Sequence, residues 1–597
     1  MQFNSARLAH LRGRLTTLIG LAGVLAGVFL PREGQGQMLR LEIRPTTVGR
    51  GLALNEPRAE LAGARVTRLD FLLSGLALRR SDGSWLESED WFAYLSAAPG
   101  KSLCAEGTGT PEGEYTGIRF HIGVNEAVNK ADPHGYSPDH ALNPQVNGLH
   151  WGWMGGYIFL ALEGRFPNAG RDDGFSYHIA NPPQLMTVEL PVAFRGGRPL
   201  TVAVDFDLQR VLQGVDFVKD GTSTHSREGD KLAAKIKANI EQAFRVRGVN
   251  YDLYQTPTLT QGVAPASMPA GATAFKPAIT QRFPKVALPA DNPLTEEGVT
   301  LGSRLFHDTR LSVNGTQSCA SCHDQKHGFA DVRRFSLGAQ QQTGKRNAMP
   351  LFNLAWHTAF FWDGRAPTLR QQVLMPIQDK AEMNETIPNV LAKLSADKTM
   401  VADFAKAFGT PEITGDRLAK ALEQFLLTLI SQESKFDRAA RKVAELNESE
   451  KRGLRLFVTE FDPKNGLRGA DCFHCHGGTL FTSQQFANNG LDLAADDIGL
   501  MAVTKNEADR GKFKTPSLRN IALTAPYMHD GRFATLEEVV EHYSNGVTRS
   551  ATLDPNLAKH PEAGIQLNAE EKADLVAFLK TLTDETFTGL EAATAAR

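Results

Sequence analysis

Cys319-Ala320-Ser321-Cys322-His323 and Cys472-Phe473-His474-Cys475-His476 are two copies of C-x-x-C-H, and together they use four of the five cysteines. That spacing is the one used to attach a c-type haem. Two thiols add to the haem vinyl groups, and the histidine that follows reaches the iron as proximal ligand. Cys319, Cys322, Cys472 and Cys475 are therefore the expected attachment points of two covalent haems, with His323 and His476 on the irons. C-x-x-C also serves zinc, but a zinc site needs further Cys or His pairs at ligand spacing, and none that fits stands beside either motif. Cys104, the fifth cysteine, has no partner left for an intramolecular disulfide. It reads as a small apolar residue or a free thiol.

These motifs must be positioned by two different kinds of chain. At 597 residues the protein is too long for a single core. From about residue 39 to 212 the pattern is β-rich: Leu39–Ile43, Val66–Leu78, Tyr115–Gly123, Tyr157–Leu162, Phe175–Ile179, Met186–Phe194 and Leu200–Leu208 alternate or carry β-branched residues. Asp82-Gly83, Gly155-Gly156, Asp173-Gly174 and Gly196-Gly197 mark turns. This spacing predicts an antiparallel sandwich or barrel. Asp230–Val246 reads as one amphipathic helix, and the Thr-, Pro-, Ala- and Gly-rich Tyr251–Pro277 as linker. Beyond about residue 287 apolar residues recur at three- and four-residue spacing, in Pro388–Leu394, Leu418–Ile430, Asn447–Phe457, Leu536–Tyr543 and Ala569–Leu582. The expected fold is multidomain: an N-terminal all-β sandwich or barrel-like domain over 38–250, a linker over 251–286, and a mainly α di-haem domain over 287–597, with lobes of roughly 287–440 and 441–590.

A 42% hydrophobic and 22% charged composition is that of an ordinary globular protein. With a net charge of −2 and no basic helix or patch with interleaved aromatics, nucleic-acid binding is set aside. Residues 1–37 read as a secretory signal: Arg7, Arg12 and Arg14 precede the 16-residue apolar run Leu15–Leu30. The run is at the short end for a membrane span, so membrane attachment is expected only if the segment is retained as an anchor. Export to the periplasm agrees with covalent haem, which bacteria attach outside the cytoplasm.

The segment from about Leu288 to Thr583 resembles the bacterial di-haem cytochrome c peroxidase and MauG superfamily. The residues that carry the likeness are Leu311–His323, Arg346–Pro350, Phe361-Trp362-Asp363-Gly364-Arg365, the second haem motif and Lys514–Phe533. The resemblance implies hydrogen peroxide as oxidant and places Trp362 between the haems as a carrier of charge. It puts Gln372 and Glu382 over the N-terminal haem, where a carboxyl moves the peroxide proton and an amide orients the oxidant. It matches Asn347, Thr524 and Pro526 to a calcium site built from oxygens. At the distal position of the second haem, where the peroxidase branch carries methionine, this chain has Tyr543. Phenolate is a hard ligand that favours ferric and higher states, as in MauG-like enzymes, whereas thioether favours ferrous iron. Met528 and the adjacent His542 are the competing ligands.

The N-terminal region resembles MbnP, copper-binding partner of the MauG-like enzyme MbnH, and the related copper protein MopE. Phe120–Val124, His150-Trp151-Gly152-Trp153 through Tyr157, Leu162-Glu163-Gly164 and Phe175–Ile179 carry this match. In that family one tryptophan becomes kynurenine and helps bind copper beside histidines. Trp153, slightly ahead of Trp151, is the matching tryptophan. Imidazole and sulfur suit Cu(I), and the domain offers His121, His134, His140, His150, His178 and Met154. His150 and His178 fall in the matched motifs and His121 comes third. Plain core or surface roles are the competing account of each, and a plain aromatic core is that of the tryptophans.

Together these readings predict a periplasmic enzyme that oxidises a tryptophan of its own N-terminal domain to kynurenine with peroxide and so completes a copper site for copper homeostasis. One alternative is a cytochrome c peroxidase that takes electrons from a small cytochrome, with the β domain as docking module. The other is a copper-binding or storage protein with a redox-sensing haem domain.

Overall fold

The computed structural model describes residues 37–152, 155–251, 265–494, 496–560 and 563–589. The expected signal segment and Trp153 lie outside them.

Two sheets build the N-terminal domain. The first runs β12–β10–β1–β2, with β5 also on β1; the second runs β11–β8–β7–β3–β6–β9, with β4 on β3. The strands are β1 (Gln37–Thr47), β2 (Arg50–Gly51), β3 (Arg65–Arg80), β4 (Trp85–Ser96), β5 (Cys104–Thr110), β6 (Glu114–Ile122), β7 (Ile158–Asn168), β8 (Arg171–Ala180), β9 (Met186–Arg195), β10 (Leu200–Asp207), β11 (Ser223–Thr224) and β12 (Phe244–Asn250). Alternation explains the layering. In β9, Met186, Val188, Leu190, Val192 and Phe194 are buried and every intervening residue is exposed. The sheets meet through edge-on aromatic pairs, Phe71 with Phe206 at 5.9 Å and Phe120 with Phe244 at 5.6 Å.

The sandwich departs from the expected all-antiparallel pattern: β1 pairs with β10, and β8 with β11, in parallel. The helix expected over Asp230–Val246 stops at Glu241. The next turn is Phe-Arg-Val-Arg, an alternating sequence that satisfies its backbone better as β12, against β10. The linker is in part packed structure: Phe283 lies against Trp356 at 5.3 Å, and the Lys285 ammonium donates to the Gly135 carbonyl at 2.7 Å.

The C-terminal half is helical and has two cores. In the first, the helix Glu296–Phe306 crosses Gly415–Leu427; a Cβ at Gly302 would stand 2.0 Å from the Ala421 carbonyl oxygen, so only glycine allows this approach. In the second, Glu448–Val458 crosses Ala569–Lys580 in the same way, with Gly453 against the Asp574 carbonyl. Capping boxes at Asn447/Glu450 and Asn568/Glu571 start both helices of this second pair. The chain end returns to the first lobe, where Phe587 joins its core and its carbonyl accepts from Gln325. The expected division into consecutive lobes is therefore crossed by the last helix. Among the described residues no helix is long and apolar enough to cross a membrane.

The sandwich is docked on the second haem lobe. Arg165, 3% exposed, donates to the carbonyls of Ser550, Ala551 and Leu553 at 3.0, 3.0 and 3.2 Å. Gly174 lies so close to the helix Pro555–Ala558 that a Cβ there would be 2.0 Å from the Pro555 oxygen.

Candidate functional site

Each C-x-x-C-H opens on a cavity. The first, about 970 Å³, is lined by Cys322, His323, Trp362, Gln372 and Glu382. His323 has Nδ1 2.8 Å from the Phe329 carbonyl oxygen, which only accepts; the proton sits on Nδ1 and Nε2 is left bare for a metal. Burial also lowers the pKa of this imidazole and keeps it neutral. Glu382 stands in the turn after the helix Met375–Gln378. Burial first, then Asp379, raises its carboxyl to about 7, against the opposing pull of Arg365. A group balanced near neutrality can both accept and return a proton.

The second cavity, about 210 Å³, is lined by Cys472, Cys475, His476, Met528 and Tyr543, with apolar residues such as Leu536 and Leu579. His476 Nδ1 faces the Phe481 carbonyl at 3.3 Å, and burial lowers this imidazole to about 4. Tyr543 enters the cavity from a π-helical turn, His542–Gly546, that follows the helix Leu536–Glu541. Such turns shift a side chain off the regular helical ladder and recur at functional sites. The Asn489 amide lies 3.4 Å from the Tyr543 hydroxyl and 3.3 Å from the Met528 sulfur, so both reach the same spot. His542 turns aside, Nε2 to the Asn489 carbonyl at 3.0 Å. Burial pushes the Tyr543 phenol up.

Trp362 is buried and lines both cavities, its indole N–H donating to the Asn347 carbonyl at 2.9 Å. Asn347, Thr524 and Pro526 all border the second cavity.

At the docked face of the sandwich, a third assembly of titratable groups lies beside the second haem motif. His178, on β8, and His225, just after β11, face each other with Nδ1 and Nε2 3.2 Å apart. His474, one of the two residues between the cysteines of the second motif, packs on both rings, at 5.5 and 5.0 Å between centroids. Glu163 accepts from His178 at 2.9 Å, and Glu460 lies 2.9 Å from His225 Nδ1 and 3.2 Å from His474 Nε2. Burial alone would raise both carboxyls; Arg68 and His178 outweigh it at Glu163, and His225 and Lys559 at Glu460, so both stay ionised. Burial drives His178 down to about 3 and also lowers His474, keeping both imidazoles neutral. Trp151, half-buried, lies 5.6 Å from His225 and packs against the cores of both the sandwich and the second lobe.

The family model described as Di-haem cytochrome c peroxidase matches residues 296–445, and the one described as MbnP matches 36–226. Methylamine utilization protein MauG of Methylorubrum extorquens is 38% identical over 309 residues, covering 51% of this chain and 83% of that protein. The chain belongs to the MauG and di-haem cytochrome c peroxidase family. Cytochrome c551 peroxidase of Nitrosomonas europaea is 38% identical over 307 residues, 50% of this chain and 83% of that one. A solved structure described as a MauG-like protein associated with microbial copper homeostasis is 37% identical, with a TM-score of 0.49, over 53% of this chain and 98% of that chain.

This MauG-family chain therefore carries an MbnP domain ahead of its peroxidase domain, and the family implies two haems. The cavities fit them: Cys322 and His323 line the first and Cys472, Cys475 and His476 the second, and each histidine has Nδ1 on a backbone carbonyl, which leaves Nε2 for a metal. Of the copper candidates, the fold brings His178 into the buried cluster. It leaves His121 on β6, bonded to Thr187 at 3.0 Å, because that strand lies between β3 and β9, away from the docked face. His150 is also apart: it packs on Tyr157 at 4.7 Å and its Nδ1 accepts from the Gly152 amide at 3.0 Å. His225 and His474 are new. His225 follows a two-residue strand with no periodic signal, and His474 is hidden inside a motif whose pattern leaves that position open.

Proposed function

We propose that this chain is a periplasmic MauG-like oxidase that uses hydrogen peroxide to convert a tryptophan of its own MbnP domain to kynurenine, completing a copper site. One observation carries the reading: Trp151 sits at the seam, between the cluster of His178 and His225 and the second haem motif. A Cβ on the next residue, Gly152, would stand 3.0 Å from the Gly478 Cα, just past that motif. Bound haem supplies the oxidising equivalents that peroxide brings. Glu382 accepts the proton from one peroxide oxygen and returns it to the departing one, and Gln372 orients the oxidant. Trp362, shared by the cavities, relays charge between them, and the ring series His474, Phe473, His225 and Trp151 carries it to the sandwich, with centroids 4.3, 5.5 and 5.6 Å apart in turn. Tyr543 and His476 would hold the second haem iron, and Asn347, Thr524 and Pro526 would hold calcium.

Two peroxides add two oxygens across the indole C2–C3 bond and leave as water; hydrolysis of the formyl group then yields kynurenine and formate. Mass spectrometry of the peptide Asn147–Arg165 from haem-loaded protein, before and after peroxide, should show that change at Trp151 or Trp153. If both tryptophans stay intact, the reading fails.

A second reading has one observation in its favour: the Met528 sulfur beside Asn489. With methionine on the second iron the chain is a peroxidase supplied by a small cytochrome. Rapid turnover with a reduced cytochrome donor, and no tryptophan modification, would select it.

A further inference from the structure

The junction histidines, of which His474 also borders the second cavity, are unusual in how their nitrogens divide. The outer nitrogen of each ring meets a carboxylate: His178 Nε2 meets Glu163, while His225 Nδ1 and His474 Nε2 meet Glu460. The inner nitrogens do not. His178 Nδ1 and His225 Nε2 face each other, and His474 Nδ1 is buried with no hydrogen-bond partner. One nitrogen from each ring can be chosen so that all three lie within 4.8 Å of one another. The side chains are 3, 5 and 2% exposed, so water does not supply the missing partner cheaply.

An ion-pair network explains the outer nitrogens, and one shared proton would satisfy the His178–His225 pair, but neither gives His474 Nδ1 a partner. A cation does. Two nitrogens on one ion at about 2.0–2.1 Å, in tetrahedral directions, stand about 3.3 Å apart, close to the 3.2 Å seen for His178 and His225. A carboxylate on the far nitrogen is the usual support of a metal-bound histidine, because it sets the tautomer and orients the ring. Glu460 is itself held by Lys559, which also reaches Asp471. Carboxylates outnumber fixed cations here, with Asp70, Glu163, Glu460 and Asp471 against Arg68 and Lys559, and an added positive ion offsets the excess.

We infer that His178 and His225 of the MbnP domain and His474 of the second haem motif hold one metal ion between the two domains, Cu(I) by the chemistry of a three-imidazole set to which a kynurenine at Trp151, 5.6 Å from His225, would add a further ligand. Imidazole ligands suit copper and zinc, and three neutral imidazoles favour the softer, lower-charged ion, with Glu460 taken up by His225, His474 and Lys559. The choice of copper rests on the proposed function; the shared site does not. The haem lobe then contributes a ligand as well as an oxidant, and the ion pins the sandwich onto the lobe that oxidises it.

The test is competitive titration of the haem-loaded full chain with Cu(I), and separately Zn(II), against a chromophoric chelator. It uses wild type, His474→Gln, His178→Gln and Glu460→Gln, each checked for haem content. Wild type should bind one Cu(I). The two histidine variants should weaken it by about 100-fold or more, and Glu460→Gln by the roughly 10–100-fold typical of an outer-shell support. X-ray absorption on Cu(I)-loaded wild type, which needs no variant to fold, should count three imidazoles. Wild-type affinity in His474→Gln, or two imidazoles or fewer on copper, overturns the shared site, while kynurenine formation would leave the proposed function standing. A three-imidazole copper site with unmodified tryptophans would do the reverse. Tight Zn(II) with no Cu(I) binding would overturn the metal assignment.

Discussion

The two haem cavities are built for different work. The first is large, is the more polar of the two, and is lined by Gln372 and by Glu382, whose carboxyl is raised to about 7. The second is about a fifth of that volume and largely apolar, with Tyr543 and Met528 converging on Asn489. Open space with a proton-transfer group suits a small reactant that must enter. A filled cavity with a side chain over the metal suits holding charge. The second lobe carries the sandwich, so under the proposed function the lobe that would store oxidising equivalents is the one in contact with what they would oxidise.

The sharpest way to break this comparison is Glu382→Gln. Peroxide consumption followed by stopped flow should fall about 10²–10⁴-fold, the usual contribution of a positioned acid–base group. Because burial raises the pKa of Glu382 to about 7, its base form is gained as pH rises; wild-type rate should climb through about pH 7, and the variant should lose that climb. An unchanged rate would leave the first cavity without its assigned chemistry.

Arg165→Met addresses the docking of the sandwich. It leaves the carbonyls of residues 550, 551 and 553 without their charged donor, a cost of about 3 kcal/mol. The yield of modified tryptophan should drop while peroxide consumption persists; equal losses in both would mean that the two cavities do not divide the work. Gly174→Ala presses on the same seam. Its new Cβ meets the Pro555 carbonyl, and about 1–3 kcal/mol of strain should appear as faster hydrogen exchange at Asn556–Lys559. Protection equal to wild type would show that the seam gives way easily.

Tyr543→Phe should slow peroxide consumption far less than Glu382→Gln. Its signature is spectroscopic, with one of the two haem absorption envelopes shifting and the other unmoved. If neither moves, Met528 is the ligand and the second cavity is that of a cytochrome-fed peroxidase.

Local signals were legible wherever the chemistry is contiguous in the chain. Both haem motifs, the seven strands with clear alternation and the long amphipathic helices could be read directly, since covalent attachment and periodicity depend on neighbours only. The strands at Trp85–Ser96, Cys104–Thr110 and Phe244–Asn250 were not read, because their burial is supplied by β3, β1 and β10 and not by a strong pattern of their own. Similarly, Gln372 and Glu382 look like ordinary solvated residues until the chain folds them over a cavity with His323.

By itself the sequence determined that this is a two-part chain with two C-x-x-C-H motifs of the c-haem kind and a β domain of the MbnP kind. Only the tertiary structure decided which histidines meet. His178, His225 and His474 are far apart in sequence, and no periodicity links them. Their apposition comes from Arg165 and Gly174 seating the sandwich against residues 550–558, a docking governed by shape and buried hydrogen bonds that no single stretch of chain encodes.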